Sequence, residues 1–408
     1  MLLKALKVTQ NKSQSCEWNL EDCTFDKINL IVGENATGKS RIAIFIKALS
    51  DLFSEYHELP FSDKVDYHIE FEDDDDKIVY DLSYGNNKVD SEILDINGKS
   101  YLKRDSSGTG KILAEALPED KNSTKKGKST NSKKSREIGF EIDKNKISLY
   151  AKRDKVQHPF LELLYNWGNG LRFFSFGTPL GRDRAEPFNI FSPSTELTEK
   201  IILKDYNLVL RVFKKGLEDY KNDFVNRIKE DMKRINYKLD DIAINKLTHG
   251  FPKGIDILGL VIKESGLKCR VEQTFISQGM FRVLSLIIQL NYLKFASSSK
   301  KYSNCILIDD IGEGLDYGRS SSLVNLLIEY AKTTNIQLIM TTNDRFIMNN
   351  VPLEYWSVIK RTGNTSKIYN YRNSRDIFDK FEYTGLNNFD FFSSKYYSKK
   401  PTKASKGQ

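Results

Sequence analysis

A short segment near the beginning of the chain has the residue types that hold phosphate groups. It reads Gly33, Glu34, Asn35, Ala36, Thr37, Gly38, Lys39 and Ser40, which fits the pattern G-x-x-x-x-G-K-[ST]. Glycines at this spacing let a backbone turn closely around phosphates with its N–H groups pointing inward. Lys39 would reach the β and γ phosphates, and Ser40 would be a ligand of Mg²⁺. The segment is therefore a candidate binding loop for ATP and Mg²⁺.

The residues around this segment predict the elements that such a loop needs. An apolar run of strand length, Ile28 to Val32, ends where the loop begins, and apolar residues then recur at helical spacing: Ile42, Phe45, Ile46, Leu49 and Phe53. The string alone arises by chance in roughly one chain in a hundred of this length. A strand before it and a helix after it remove most of that risk, because the N-terminus of the helix attracts anions.

A second chemical group follows an apolar run in the last third of the chain. Residues Cys305 to Ile308 resemble a buried strand, and Asp309 and Asp310 follow directly. Asp309 fits a residue that holds Mg²⁺ through water, and Asp310 stands where a base could orient an attacking water molecule. An acidic pair at a strand end can also be a capped turn, but together with a phosphate loop it favours a nucleotide site.

Four motifs in chain order resemble those of ABC-type ATPase heads. Residues Ile308 to Asp316 resemble the extended Walker B motif and the D-loop, with Gly-Leu-Asp at the end. Ser277, Gln278 and Gly279 precede an apolar helix and resemble the ABC signature. Thr341 to Asp344 follow the next strand, where those heads carry a switch histidine. With the phosphate loop, the resemblance covers residues 1 to about 120 and 255 to 375.

Within that family the chain is most similar to the RecF and structural-maintenance-of-chromosomes branch. In that branch it resembles bacterial AAA-family ATPases of phage-defence systems of the Septu-like, PARIS-like or retron-associated kinds. The resemblance implies a homodimer or higher oligomer in which Ser277 and Gly279 of one subunit donate to the γ-phosphate held by Lys39 of the other, with Gln278 and Asp316 as further nucleotide-binding residues. It also implies control of a separate effector encoded nearby, such as a nuclease, and contact with DNA or RNA.

Three features depart from the family pattern. Asp310 replaces the usual glutamate and is one methylene shorter, so Glu313 is a second candidate for the base. Asn343 replaces the switch histidine and could hydrogen-bond a phosphate without shuttling a proton. The hairpin region offers no obvious counterpart of the Q-loop glutamine that senses the γ-phosphate. Together these departures predict slow hydrolysis and a long-lived ATP-bound state.

The pattern along the chain predicts an α/β fold, a P-loop ABC-type head with an antiparallel β-hairpin lobe and a short helical-arm insertion. Short alternating runs predict hairpins over residues 65 to 150, with a turn at Asp73 to Asp76, and spaced apolar residues predict helix from Thr195 to about Asn245. The expected parts are an N-terminal ATPase lobe (1–120), a basic loop (121–136), the rest of the β lobe (137–194), a helical insertion (195–250), a C-terminal ATPase lobe (251–380) and a tail (381–408).

The composition narrows the class of protein. Of the 408 residues 39% are hydrophobic, which excludes wholesale disorder. The sequence contains no run of 18 consecutive apolar residues, so no membrane span is predicted. Residues Met1 to Gln10 alternate apolar and polar side chains and lack the pattern of a secretory signal. The 4 cysteines form no C-x-x-C pair, which is typical of reduced thiols. We therefore expect a soluble cytoplasmic protein without a membrane partner.

The positive charge is concentrated in two polar segments. Residues 121–136 and 395–408 are rich in lysine, and without their basic residues the net charge of +8 would fall to about −4. Segments of this kind are usually solvated loops, but they can also hold a phosphate backbone.

Two other functions fit parts of the sequence. The ATPase subunit of a membrane transporter would have a phosphate loop, but such subunits are typically shorter and lack long insertions. A DNA-repair ATPase of the RecF type would share the mechanism and differ in its partner. Nuclease activity is not expected of this chain, because the residues after Asn343 are too few for the C-terminal nuclease domain that some relatives carry.

Overall fold

The computed structural model describes residues 1–54, 59, 64–114, 136–187, 204–249, 256–297 and 305–398. Most of the predicted basic loop, the start of the helical insertion and residues 399–408 lie outside that range. The strands are β1 (Leu2–Gln10), β2 (Trp18–Thr24), β3 (Ile28–Val32), β4 (Val65–Asp73), β5 (Asp76–Gly85), β6 (Lys88–Ile96), β7 (Lys99–Asp105), β8 (Thr109–Ala114), β9 (Arg136–Glu141), β10 (Leu171–Ser175), β11 (Glu186–Pro187), β12 (Leu239–Lys246), β13 (Ile257–Glu264), β14 (Val271–Glu272), β15 (Cys305–Asp309), β16 (Gln337–Thr342), β17 (Trp356–Thr362) and β18 (Thr365–Asn370). The α-helices are α1 (Lys39–Ser54), α2 (Ser148–Ala151), α3 (Pro159–Gly170), α4 (Val209–Arg234), α5 (Gln278–Ser297), α6 (Tyr317–Thr333), α7 (Arg345–Asn350), α8 (Arg375–Glu382) and α9 (Asn388–Ser393).

The chain divides into two units. The first unit consists of Met1–Asp26, Ile44–Leu171 and Ile359–Asn373, and the second of Lys27–Ala43, Arg172–Val358 and Ser374–Gln408. Among the described residues, no helix combines the length and the apolar character needed to cross a bilayer.

The first unit is built on antiparallel strands in the order β2, β1, β4, β5, β6, β7, β8 and β9. The predicted turn after β4 is confirmed, since Asp73 pairs with Asp76. The turn between β5 and β6 has Asn86 and Asn87 at φ 51° and 57°, a left-handed conformation that asparagine tolerates in tight hairpins. The predicted hairpins are thus confirmed for most of residues 65 to 141.

One predicted strand of this region is a helix. The run around Ser148 to Ala151 alternates like a strand but forms α2, and α3 follows it. The reason lies in the core: the carboxylate of Glu92, fully buried, accepts hydrogen bonds from the N–H groups of Ser148 and Leu149 at 2.7 and 3.1 Å. A buried carboxylate at the first turn stabilises a helix there, and no local pattern reveals it.

The second unit contains the parallel strands, ordered β15, β16, β3 and β17, with β10 beside β15. Every residue of β3, β15 and β16 is buried, as in parallel sheets covered on both faces. The α/β class and the mainly parallel sheet are therefore confirmed. A smaller antiparallel sheet, β11, β13 and β12, with β14 on β13, belongs to the same unit.

The predicted helical insertion extends too far. Helix α4 ends at Arg234, with a kink at Lys221 (φ 52°), and residues Leu239–Lys246 form strand β12 instead of helix. Ile242 and Ile244 of β12 pair with Ile262 and Leu260 of β13. The partner strand, which is distant in sequence, decides the conformation of this segment.

Candidate functional site

The phosphate loop, the acidic pair and Asn343 lie at one edge of the parallel sheet in the second unit. Strand β16 lies between β3 and β15, and all three run in the same direction, so their carboxyl ends lie side by side. The phosphate loop follows β3, Asn343 follows β16, and Asp310 follows β15. Ligand sites of parallel α/β sheets lie at this edge.

The phosphate loop is held closed by its own side chains. Lys39 Nζ donates to the carbonyl oxygens of Gly33 and Glu34 at 2.8 and 3.1 Å, and Thr37 Oγ1 donates to Glu34 O at 2.8 Å. Gly38 has φ 111°, which a side chain would strain. The exposed Glu34 pairs with Lys395 Nζ at 3.1 Å. The loop is therefore preformed around the ammonium group of Lys39.

Lys39 is electrostatically linked to the acidic pair. Its side chain is 6% exposed, and burial lowers the pKa of its ammonium group, while the charges of Asp310 and Asp309 act in the opposite direction. An ammonium group of this kind can bind phosphate oxygens strongly, because little water competes for it. Ser40 is the half-buried second residue of α1, where its hydroxyl stands in the first turn of the helix.

A threonine hydroxyl holds the acidic pair in place. Thr341 Oγ1 donates to Asp309 Oδ1 at 2.6 Å and accepts from the backbone N–H of Asp310 at 2.9 Å. Asp309 is 7% exposed and Thr341 is fully buried. Asp310 adopts φ 57°, a left-handed conformation that aspartate tolerates better than most residues. The hydroxyl thus fixes the direction of both residues of the pair.

Asp310 lies among other negative groups. Burial is the largest cause that raises the pKa of its carboxyl group; the charges of Asp309 and Glu313 add to it, and Lys39 opposes them. A carboxylate with a raised pKa is a better general base than an ordinary aspartate. The carboxylate of Glu313 lies over Gly177, since a Cβ atom on this glycine would come within 2.5 Å of Glu313 Oε2.

The turn after β10 also reaches this edge. The backbone N–H of Phe176 donates to Asp309 O at 2.8 Å, and Thr178 Oγ1 donates to Ser175 O at 2.7 Å. The turn carries Gly177 and Thr178 beside the acidic group. Sequence reasoning did not select this turn, although Phe-Gly-Thr-Pro after an apolar run is a turn signal.

The signature-like segment lies elsewhere on the second unit. Ser277 caps α5, its Oγ accepting from the N–H of Met280 at 3.4 Å, and Ser277 and Gln278 are exposed. A Cβ atom on Gly279 would come within 2.6 Å of Gly314 O, so the segment packs against the turn after β15.

Asp316 and Asn343 occupy the ends of turns at the surface. Asp316 caps α6, accepting from Arg319 N at 3.0 Å and from Arg319 Nη1 at 2.6 Å, and these bonds lower the pKa of its carboxyl group. Asn343 is exposed after β16, and the next residue, Asp344, caps α7. Contact of Asp316 and Asn343 with a nucleotide stays a prediction.

Sequence reasoning missed the roles of two buried residues at this edge. Thr341 was noted only as part of a motif, yet its hydroxyl bonds to both residues of the acidic pair. Its position directly after an apolar strand was the available signal. Arg282 resembled one more polar residue of an apolar helix, but its side chain is buried and hydrogen-bonded to the turns around the site.

No protein-family model matches the sequence, and no curated protein matches it. Among solved structures, the chain is similar to an SMC head bound to the C-winged helix domain of ScpA, at 15% identity and a TM-score of 0.49 over 90% of this chain and 97% of that one. It is also similar to an Smc head from Pyrococcus furiosus with an extended coiled coil, bound to the C-terminal domain of ScpA. Here the identity is 13% and the TM-score 0.45, over 93% of this chain and 99% of that one. For the SMC head domain from Thermotoga maritima, the identity is 14% and the TM-score 0.41, over 90% of this chain and 98% of that one. At these values the likeness does not place the chain in a family, and the function rests on the site itself.

The charge environment of Asp310 predicts a stability effect. The pKa of the Asp310 carboxyl group is raised in the folded protein, so ionising this group lowers the stability of the fold. That loss of stability is absent below the ordinary aspartate pKa of about 3.9 and fully present above the raised pKa. We expect Asp310→Asn to raise the melting temperature of the ligand-free protein at pH 7 and to lose this gain near pH 4. Asparagine also tolerates the positive φ at this position.

Asp316→Asn is the matched control with the opposite sign. The pKa of Asp316 is lowered, so its contribution to stability is present at pH 7 and is lost as the pH falls through the folded pKa. We expect a lower melting temperature for this variant at pH 7. An unchanged or lower melting temperature for Asp310→Asn would contradict the assigned environment of Asp310.

Proposed function

We propose that the chain binds ATP with Mg²⁺ and hydrolyses it slowly at this edge of the sheet. The observation that carries the proposal is that the buried ammonium group of Lys39, inside a preformed phosphate loop, is electrostatically linked to Asp309 and Asp310. A positive group for phosphates and carboxylates for a metal and a water molecule are the components that phosphoryl transfer requires.

The residues of the site suit a Mg²⁺ ion bound with a nucleotide. The hydroxyl of Ser40 and the carboxylate of Asp309 are oxygen donors, the type that Mg²⁺ prefers, and Mg²⁺ would neutralise charge on the phosphates. Lys39 Nζ would exchange the carbonyl oxygens of Gly33 and Glu34 for phosphate oxygens. Thr341 would keep Asp309 turned toward the ion.

The same residues support slow turnover. Asp310 would orient the attacking water molecule, and its raised pKa strengthens it as a base, but its side chain is one methylene shorter than that of glutamate. Glu313, whose carboxylate lies over Gly177, is the second candidate. Asn343 could hydrogen-bond a phosphate oxygen but could not carry a proton. Slow hydrolysis would leave the ATP-bound state long-lived.

We further propose that two copies pair around ATP. The exposed Ser277 precedes α5, and the exposed Gln278 is the first residue of this helix, whose N-terminal N–H groups suit an anion. This segment packs on Gly314, and the exposed side chains of Ser277 and Gln278 are accessible to the nucleotide of a second copy.

We also propose that this chain controls a separate effector protein, and that the two act in phage defence. This part follows from the resemblance of the motifs to ATPases of such systems. The basic segments 121–136 and 395–408 are the candidates for contact with DNA or RNA, through their excess of lysine.

Lys39→Ala tests the phosphate loop. Because Lys39 is the charge that would bind the β and γ phosphates, we expect ATP affinity to fall by roughly 100-fold or more, measured by calorimetry. Lys47→Ala is the control: Lys47 lies on the same helix, in a partly exposed ion pair with Asp51, and its loss should leave ATP affinity unchanged. An affinity for Lys39→Ala within a few-fold of the wild type would contradict the proposal.

Ser277→Arg tests pairing around ATP. The side chain is exposed, so arginine should leave the fold and ATP binding intact while blocking ATP-dependent dimers, measured by light scattering. Ser106→Arg, at another exposed serine, should dimerise normally. Mixed with Lys39→Ala, Ser277→Arg should regain partial ATPase activity, because one composite site would combine an intact loop with an intact signature. An inactive heterodimer, verified by mass, would count against action between subunits.

The effector proposal is tested with the products of the adjacent genes. We expect one of them to bind the purified chain with an affinity that depends on ATP, measured by size-exclusion chromatography, and to lose this dependence with Lys39→Ala. The purified chain alone should leave plasmid DNA intact in Mg²⁺ or Mn²⁺. Efficient cleavage by the chain alone, after controls for contaminants, would make it a self-contained nuclease instead.

A further inference from the structure

Arg282, near the start of α5, is a buried charged residue that the proposed chemistry does not use. Its side chain is 5% exposed, and its guanidinium group donates to three carbonyl oxygens: Nε to Thr178 O at 2.9 Å, Nη2 to Gly177 O at 2.8 Å and Nη1 to Glu313 O at 2.8 Å. These acceptors belong to two different turns, one after β10 and one after β15. A single side chain therefore connects α5 with both turns.

The geometry of this connection requires arginine. The planar guanidinium group presents its donors in a fixed fork, whereas the ammonium group of lysine is a compact charge on a flexible stem. Burying a charge is costly unless its donors are satisfied, and here backbone oxygens satisfy three of them. Such a residue fixes the relative positions of the groups that it binds.

Both turns that Arg282 holds border the candidate catalytic carboxylates. Phe176, next to Gly177, donates its N–H to Asp309 O at 2.8 Å. Gly177 lies against the carboxylate of Glu313, and a Cβ atom on it would also come within 3.9 Å of Asp310 Cβ. The position of Glu313 beside Asp310 therefore depends on how the two turns are held together.

The same arginine lies close to the signature-like segment. Helix α5 begins directly after Ser277, and Gly279 packs on Gly314, one residue beyond Glu313. A Cβ atom on Gly314 would come within 2.8 Å of Arg282 Nη1. The start of α5, the guanidinium group and the turn after β15 thus form one continuous set of contacts.

We propose that Arg282 is a positioning residue that sets the place of Glu313 relative to Asp310, and so the rate of hydrolysis, without touching the nucleotide. This inference rests on the proposed ATPase function. Through Arg282, a displacement of the start of α5 on engagement of a second copy moves the turn that carries Glu313. Binding at the signature segment and readiness for hydrolysis are then linked within one chain.

Arg282→Lys is the principal test. We expect kcat to fall by about 10-fold or more, since small misplacements near reacting groups have large effects, while the Kd for ATP stays within about two-fold of the wild type. Arg104→Lys is the matched control: Arg104 is 2% exposed, lies in the first unit and donates to the carbonyl oxygens of Lys146 and Asp143. It should lower the melting temperature without changing kcat at a temperature where it is folded.

A double variant separates positioning from general loss of structure. If Arg282 acts through Glu313, then Arg282→Lys should cause little further loss of kcat when added to Glu313→Gln. The inference would be overturned if the fold-losses of kcat in the two single variants multiplied in the double variant. A Glu313→Gln variant with the kcat of the wild type would overturn it as well.

Gly177→Ala tests the same link should Arg282→Lys fail to fold. The added methyl group must displace the carboxylate of Glu313, so we expect kcat to fall with ATP affinity unchanged, whereas Gly139→Ala, with ample space, should have no effect. A wild-type kcat for Gly177→Ala and for any folded Arg282→Lys would overturn the inference alone. A wild-type protein that binds or hydrolyses no ATP would overturn the proposed function, and the inference with it.

Discussion

The constraint on which the second unit depends is the close placement of like charges at the edge of a buried sheet. The negative charges of Asp309 and Glu313 act on the carboxyl group of Asp310, and the buried ammonium group of Lys39 opposes their effect. Like charges repel strongly where water is scarce, so this group is stable only while the surrounding elements hold it. The order β15, β16 and β3 provides that support, because a single strand separates the acidic pair from the phosphate loop.

The buried edge is organised by groups that carry no charge. The hydroxyl of Thr341 bonds to both residues of the acidic pair, and the backbone of Asp310 takes a left-handed conformation. A charge that is costly to keep in the folded protein is typical of a functional site, where stability is reduced in favour of reactivity. Asp310, with its raised pKa, fits that pattern, and this agrees with the proposed role as a base.

The turns around the edge come from distant parts of the sequence and are joined by hydrogen bonds from arginine side chains. Arg282 of α5 bonds to the turn after β10 and to the turn after β15, and Arg182 donates from Nε to Ile276 O at 2.9 Å, just before the signature-like segment. Such contacts connect α5 with the acidic turn. For a protein proposed to hydrolyse ATP slowly and to pair around it, this arrangement would make hydrolysis depend on pairing.

The sequence alone determined the components of the site. The spacing of Gly33, Gly38 and Lys39, between a five-residue, largely apolar strand and a helical pattern, requires nothing beyond local geometry, and the structure has β3 and α1 at the predicted places. The same holds for β15 with its acidic pair and for the hairpins, because alternation and turn residues are local signals.

Tertiary structure decided what depends on distant partners. The buried carboxylate of Glu92 turns a strand-like run into α2, and pairing with β13 turns a helix-like run into β12. The bonds of Thr341 and Arg282 likewise join groups that lie about 30 to 105 residues apart. Sequence patterns report which surface of an element is apolar, but which buried polar group finds which partner is set only when the elements pack together.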